Sequence, residues 1–100
     1  MVTISASVGQ GGVNKKADVL TIQKALNQIP PNKGGPVPKL KEDGLVGPKT
    51  TGAILNFQKS NVGLDRDGRV DVNQATLARI NVLLEKKPKF TDANLYGPNG

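Results

Sequence analysis

The stretch Asp43-Gly44-Leu45-Val46-Gly47-Pro48-Lys49-Thr50, continued by Ala53-Ile54 and Phe57-Gln58, decides the fold. Its first half reads as a turn, because glycine accepts positive φ and an aspartate side chain hydrogen-bonds the turn's own backbone. Its second half opens a helix. Proline is favoured in a first helical turn, where its missing N–H has no partner to lose. Thr50, Ile54 and Phe57 then follow at helical spacing, which predicts a helix over 48–60 with Phe57 in the core and Gly63 as its stop. The pattern returns downstream, two residues longer, as Asp67-Gly68-Arg69-Val70-Asp71-Val72-Asn73-Gln74-Ala75-Thr76. It predicts a second turn and a further helix beginning near Asn73. Leu77, Ile80 and Leu84 lie on one face of that helix, and Pro88 ends any extension. Val46 and Val70 are expected to plug the two turns onto the core, with short β-bridges joining the two turn loops.

Upstream, Val19, Ile22, Leu26 and Ile29 mark one face of a helix over 15–29, with Asn14 as its N-cap and Pro30-Pro31 as its stop. This helix carries Leu20-Thr21-Ile22-Gln23-Lys24, which recurs as Leu55-Asn56-Phe57-Gln58-Lys59 in the next. Residues 30–41 hold four prolines, two glycines and three lysines and read as a long basic surface loop. The small, glycine-rich residues 1–14 read as a flexible lead-in, and 85–100 as a linker or disordered tail, with Phe90, Leu95 and Tyr96 able to fold back on the domain as the alternative. The domain proper is 15–84, an all-α three-helix bundle.

Composition narrows the chemistry. A chain of 100 residues with 36% hydrophobic residues has material for one small core. It holds neither cysteine nor histidine, which excludes disulfides, thiolate or imidazole zinc sites, and the Ser-His and Cys-His nucleophile systems. The balance of 14 Lys and Arg against 8 Asp and Glu, a net charge of +6, calls for an anionic partner. No segment has the apolar length to span a bilayer. Met1-Val2-Thr3-Ile4-Ser5 lacks the basic start and apolar run of a secretory signal, so export would need another route or a longer parent chain.

Residues 11–81 resemble the peptidoglycan-binding domain of the small three-helix type, found attached to bacterial cell-wall hydrolases. The resemblance rests on an ordered set. Gln23 and Leu26 follow Val19. Asp43-Gly44, Val46-Gly47, Thr50, Ala53-Ile54 and Phe57-Gln58 come next, then Gly63-Leu64, Asp67-Gly68, Val70-Asp71 and Thr76-Leu77. It implies a non-catalytic, monomeric module that holds a protein on peptidoglycan, in the cell wall or periplasm, through glycan or stem peptide. Three departures stand out. The 30–41 loop is longer than members of the family usually carry. Asp71 and an extended turn replace the glycine that would mirror Gly47. The family module is normally an appendage to a catalytic domain, and these 100 residues leave no room for one.

Other constellations read as structure. Asp65-Arg66-Asp67-Gly68-Arg69-Val70-Asp71 lacks a calcium loop: with Gly68 at the sixth position, Gly63 and Gln74 stand at the first and twelfth, where ligands are required. Glu42, Asp43 and Asp67 invite a glycosidase reading, but a chain with two Phe, one Tyr and no Trp offers little to orient a sugar. Glycines 9, 11 and 12 are not followed by the Gly-Lys-Ser/Thr of a phosphate loop. The last helix, as a DNA reader, would present Gln74, Arg79 and Asn81 with a single basic residue, so specific nucleic-acid binding is not expected. Gln23 and Gln58 read as amides that satisfy loop backbone rather than ligand. With neither metal nor cofactor expected, the candidate ligand-binding residues are Lys41, Asp43, Lys49, Arg66, Asp67 and Arg69, around turns expected to lie side by side. Gln23, Gly44, Gly47, Thr50, Phe57, Gln58, Gly68 and Thr76 define the fold. The competing reading is a protein–protein docking module, reusing the fold in an export or injection apparatus.

Overall fold

A computed structural model describes residues 1–85. Three helices carry the architecture: α1 (Lys16–Asn27), α2 (Pro48–Ser60) and α3 (Ala75–Glu85). A single antiparallel pair, β1 (Val8–Gly9) with β2 (Arg69–Val70), sets Val8 opposite Val70 and Gly9 opposite Arg69. The fold is an all-α three-helix bundle with one minimal sheet. The tail from residue 86, with Phe90, Leu95 and Tyr96, lies outside the described residues.

The apolar faces meet as their spacing requires. Val19, Ile22 and Leu26 of α1, Ile54 and Phe57 of α2, and Ile80 of α3 are each fully buried. α2 keeps the expected bounds, and Pro48 occupies its first turn behind an extended Gly47. α1 is shorter than its periodicity suggests, and Ile29 enters the core from just beyond its end.

Four expectations need correction. Asn14 does not cap α1. Lys15 takes that place, without a side-chain bond. Asn14 instead adopts φ 60° and closes the loop before the helix: its Oδ1 accepts the Gly9 N–H at 2.7 Å, and its Nδ2 donates to the carbonyls of Gly9 and Gly12. Nor are residues 1–14 a loose lead-in. Ile4 and Val8 are buried in the core, and the Asn81 side chain of α3 pairs both backbone groups of Val2, accepting its N–H and donating to its carbonyl. The Asp18 carboxylate in the first turn of α1 accepts the N–H groups of Ser5 and Ala6 and the Ser5 hydroxyl at 2.8–3.1 Å. The sheet joins this segment to the second turn; the two turn loops do not bridge each other. Finally, Val70 is buried as expected, but Val46 stays on the surface.

The 30–41 loop is held at the end of α1. A short 3-10 turn (Pro31–Lys33) begins at the second proline, with Pro30 as its N-cap. Further on, Asn27 acts as a surrogate strand for Leu40, accepting its N–H and donating to its carbonyl, both at 2.8 Å. The same Nδ2 reaches Glu42 Oε2 at 2.9 Å, and Lys39 Nζ donates to the Asn27 carbonyl at 2.7 Å.

Candidate functional site

The two Asp-Gly turns are built alike, each fastened by a glutamine from the preceding helix. Gln23 Oε1 accepts the N–H groups of Asp43 and Gly44 at 3.1 and 2.8 Å. Its Nε2 lies 3.1–3.2 Å from the Leu45 carbonyl, Asp43 Oδ1 and Thr50 Oγ1. One helix later, Gln58 Oε1 accepts the Gly68 N–H at 2.8 Å, and its Nε2 faces Asp67 Oδ1, the Arg69 carbonyl and Thr76 Oγ1 at 2.9–3.1 Å. An amide nitrogen has two hydrogens, so three acceptors share them at each hub. Both glutamines are 1% exposed and have nothing left to offer a ligand.

The turns themselves follow from their residues. Asp43 Oδ1 accepts the Leu45 N–H at 2.9 Å, and Asp67 Oδ1 accepts the Arg69 N–H at 3.0 Å. Gly44 and Gly68 sit at φ 74° and 69°, where a Cβ is strained. Thr50 and Thr76 lock the first turn of the helix that each loop launches. These positions therefore serve the scaffold, as does Phe57, whose ring is fully buried.

The carboxylates are committed too. The Leu45 N–H, opposed by burial and joined by the Gln23 amide and nearby Lys41, holds Asp43 below the ordinary carboxylate range. Burial works to raise Asp67, but the Gln58 amide, the Arg69 N–H and the Arg69 guanidinium outweigh it, and its pKa also lies low. Both are anionic acceptors at neutral pH, not proton donors.

The six candidate ligand residues do not converge on one depression. Asp67 and Arg69 line one of about 490 Å³ at the start of α3, together with Asp65 and Asp71. Arg69 is engaged there: Nε contacts Asp71 Oδ1 at 2.9 Å, and the guanidinium stands 3.8 Å from Asp67. The hydrogen bond and charge of Asp71 raise its pKa further. With three aspartates and one arginine, this depression is acidic on balance. Arg66 lines a smaller one with Asp67, Pro48 and Gly52. Lys41 and Lys49 border two others, which share Leu40 as well. One of these also includes Asp43. The other, about 370 Å³ between the 30–41 loop and α2, is lined by Lys39, Lys41 and Lys49 and by no acidic residue.

Sequence reasoning missed Asp18, Asn27 and Asp71, whose partners lie at |i−j| of 13, 13 and 2. Only the last left a signal, an acid two residues from an arginine. Among the described residues, no cluster of three or more carboxylates has the geometry to hold a metal ion. No helix among them is long and apolar enough to cross a membrane.

A comparison with family models matches residues 15–80 to a family described as "Putative peptidoglycan binding domain". Comparisons with curated proteins and with solved structures returned no match. The matched span runs from the residue before α1 to Ile80 of α3 and contains both glutamine hubs and both Asp-Gly turns. By a match over that span the chain belongs to the peptidoglycan binding domain family.

Proposed function

We propose that this domain attaches to bacterial cell-wall peptidoglycan without cleaving it. The family match over residues 15–80 carries this reading. Two features support it. The chain has a net charge of +6, suited to a polymer bearing free carboxylates. And the carboxylates of its two Asp-Gly turns, Asp43 and Asp67, are spent on backbone N–H groups and line different depressions, which suits holding a polymer and not hydrolysing it. Exposed ion pairs contribute only about 0–1 kcal/mol each. Attachment is therefore weak at one site and strengthened by the many equivalent sites of one sacculus.

Co-sedimentation with purified, protein-free sacculi tests this. The protein pellets at low salt and progressively less as ionic strength rises. Protein wholly in the supernatant at low salt refutes the reading and favours a protein docking role. Soluble muropeptides released by the pure protein, and no longer released after Asp43→Asn or Asp67→Asn, would overturn the non-catalytic part.

A further inference from the structure

We infer that the ligand surface is the lysine-lined trough between the 30–41 loop and α2, and that it takes the carboxylate-bearing stem peptide of the wall and not the glycan strand; this rests on the wall-binding reading above. Charge selects the place. The depression at α3 presents three aspartates against one already-paired arginine and repels an anion. The trough presents Lys39, Lys41 and Lys49 with no acidic residue in its lining. Among the described residues, no ion pair engages Lys41 or Lys49. Their acidic neighbours hydrogen-bond amides, Glu42 that of Asn27 and Asp43 that of Gln23 and the Leu45 N–H, and Asp43, which lies near Lys41, offsets only part of its charge.

The apolar part of the lining selects the ligand class. Between the lysines lie Pro36, Val37, Pro38, Leu40 and Ala53, with Val37 74% exposed. Aliphatic groups of this size suit the methyl groups of small amino acids. A sugar ring binds best with its apolar face on an exposed aromatic ring, and among the described residues the one aromatic side chain, Phe57, is fully buried. A short peptide with small side chains and free carboxylates meets both features: cations at the rim and aliphatic floor between them.

The test uses the whole chain and three preparations: intact sacculi, glycan strands stripped of stem peptides, and sacculi whose carboxylates are converted to neutral amides. At low salt the chain binds intact sacculi and loses about tenfold or more in apparent affinity on both of the others. The double variant Lys41→Glu/Lys49→Glu loses about tenfold on intact sacculi, because each replaced contact becomes a repulsion. Lys41→Gln/Lys49→Gln, which adds no charge beside Asp43, loses less but in the same direction. Lys24→Glu/Lys59→Glu makes the same charge change on exposed helix positions outside the trough, and binds like the parent. All of these side chains are exposed, so every variant should keep the parent's helical circular dichroism at 25 °C; Lys24 and Lys59 lie in the last turns of α1 and α2, where the helix dipole disfavours an acid, so that pair melts slightly lower than the parent. Equal binding to peptide-free glycan overturns the ligand class and leaves wall binding standing. Equal loss in the Lys24/Lys59 pair overturns the location. No binding to any preparation overturns the wall-binding reading and this inference together.

Discussion

Replacing Gln58 with alanine tests the central structural claim, that a buried amide and not the Asp-Gly turn alone holds the second loop. The truncation strands two backbone groups: the Gly68 N–H, bonded to Oε1 at 2.8 Å, and the Arg69 carbonyl, 3.0 Å from Nε2. Thr76 can rotate its hydroxyl, and Asp67 is exposed enough to turn to water, so neither adds much. Each stranded buried group costs about 1–3 kcal/mol. Together the two groups cost about 2–6 kcal/mol, with about 3 kcal/mol as a working value. For a domain of this size the melting temperature falls by roughly 12–24 °C. A thermal melt followed by helical circular dichroism measures this directly. A Gln58→Ala variant melting within about 3 °C of the parent would refute the hub as an energetic element. Gln58→Glu refines the test, because it keeps the shape and replaces the donor by an oxygen facing Asp67 Oδ1 and the Arg69 carbonyl. The introduced carboxyl faces acceptors, so its folded pKa lies above its unfolded value. The destabilisation is therefore full at neutral pH and fades as the group protonates, towards about pH 4. A penalty that grows with acid would contradict the assigned donor direction.

Further outcomes follow from the same coordinates. Gly44→Ala should destabilise more than Gly68→Ala, although both glycines have positive φ: a Cβ at Gly44 meets Lys16 Cγ at 2.6 Å and the Lys16 carbonyl oxygen at 3.0 Å, whereas at Gly68 nothing approaches closer than 3.5 Å. Paired melts check the order. Phe57→Ala should cost about 3–5 kcal/mol and largely unfold the domain, read as loss of helical signal at 25 °C; a melt like the parent's would mean the wrong face of α2 is buried. Asp18→Asn should lower the melting temperature at pH 7. The Ser5 N–H, against burial and with the Ser5 hydroxyl, the Ala6 N–H and Lys15, holds the Asp18 carboxyl below its ordinary value. Its stabilisation is thus present above about pH 4 and lost as pH falls through the depressed folded value, so parent and variant should converge in acid.

Most of the scaffold was legible because its signals are local. An Asp-Gly pair, a proline in the first helical turn and Thr50, Ile54 and Phe57 at helical spacing each act within a few residues. The N-terminal segment was not legible. A strand of two residues has no periodicity, and its partner lies about sixty positions away, so nothing in Val8-Gly9 announces that it will pair with Arg69-Val70. The same pairing explains why Val46 and Val70, at equivalent places in the repeat, differ. Val70 sits on a strand with Val8 opposite it, and Val46 has no second strand to cover it. The charged residues were legible as types but not as groups. Arg69 reads from the sequence as a candidate ligand residue, but Asp71, two residues on, pairs with it. Lys39 and Lys41 meet Lys49 only because Asn27 fixes the path of the loop, and an asparagine at the end of a helix reads first as a terminator.

The two halves of the repeat therefore divide their work unequally. Each spends its glutamine, its threonine and one oxygen of its aspartate on the turn, which leaves the shared motif little for a ligand. What distinguishes the halves is what has been added to them. The second turn receives the N-terminal strand, which closes it, and keeps an arginine neutralised by two aspartates. The first receives the 30–41 loop, which brings two lysines and an exposed aliphatic wall against α2. On the reading proposed above, recognition belongs to the 30–41 loop rather than to the shared turns. Exchanging residues 36–41 for a short Gly-Ser connection should accordingly abolish sacculus binding while both glutamine hubs persist, the latter visible as retained protection of the Gly44 and Gly68 amides from hydrogen exchange. Binding that survives the exchange would return the ligand surface to the turns themselves.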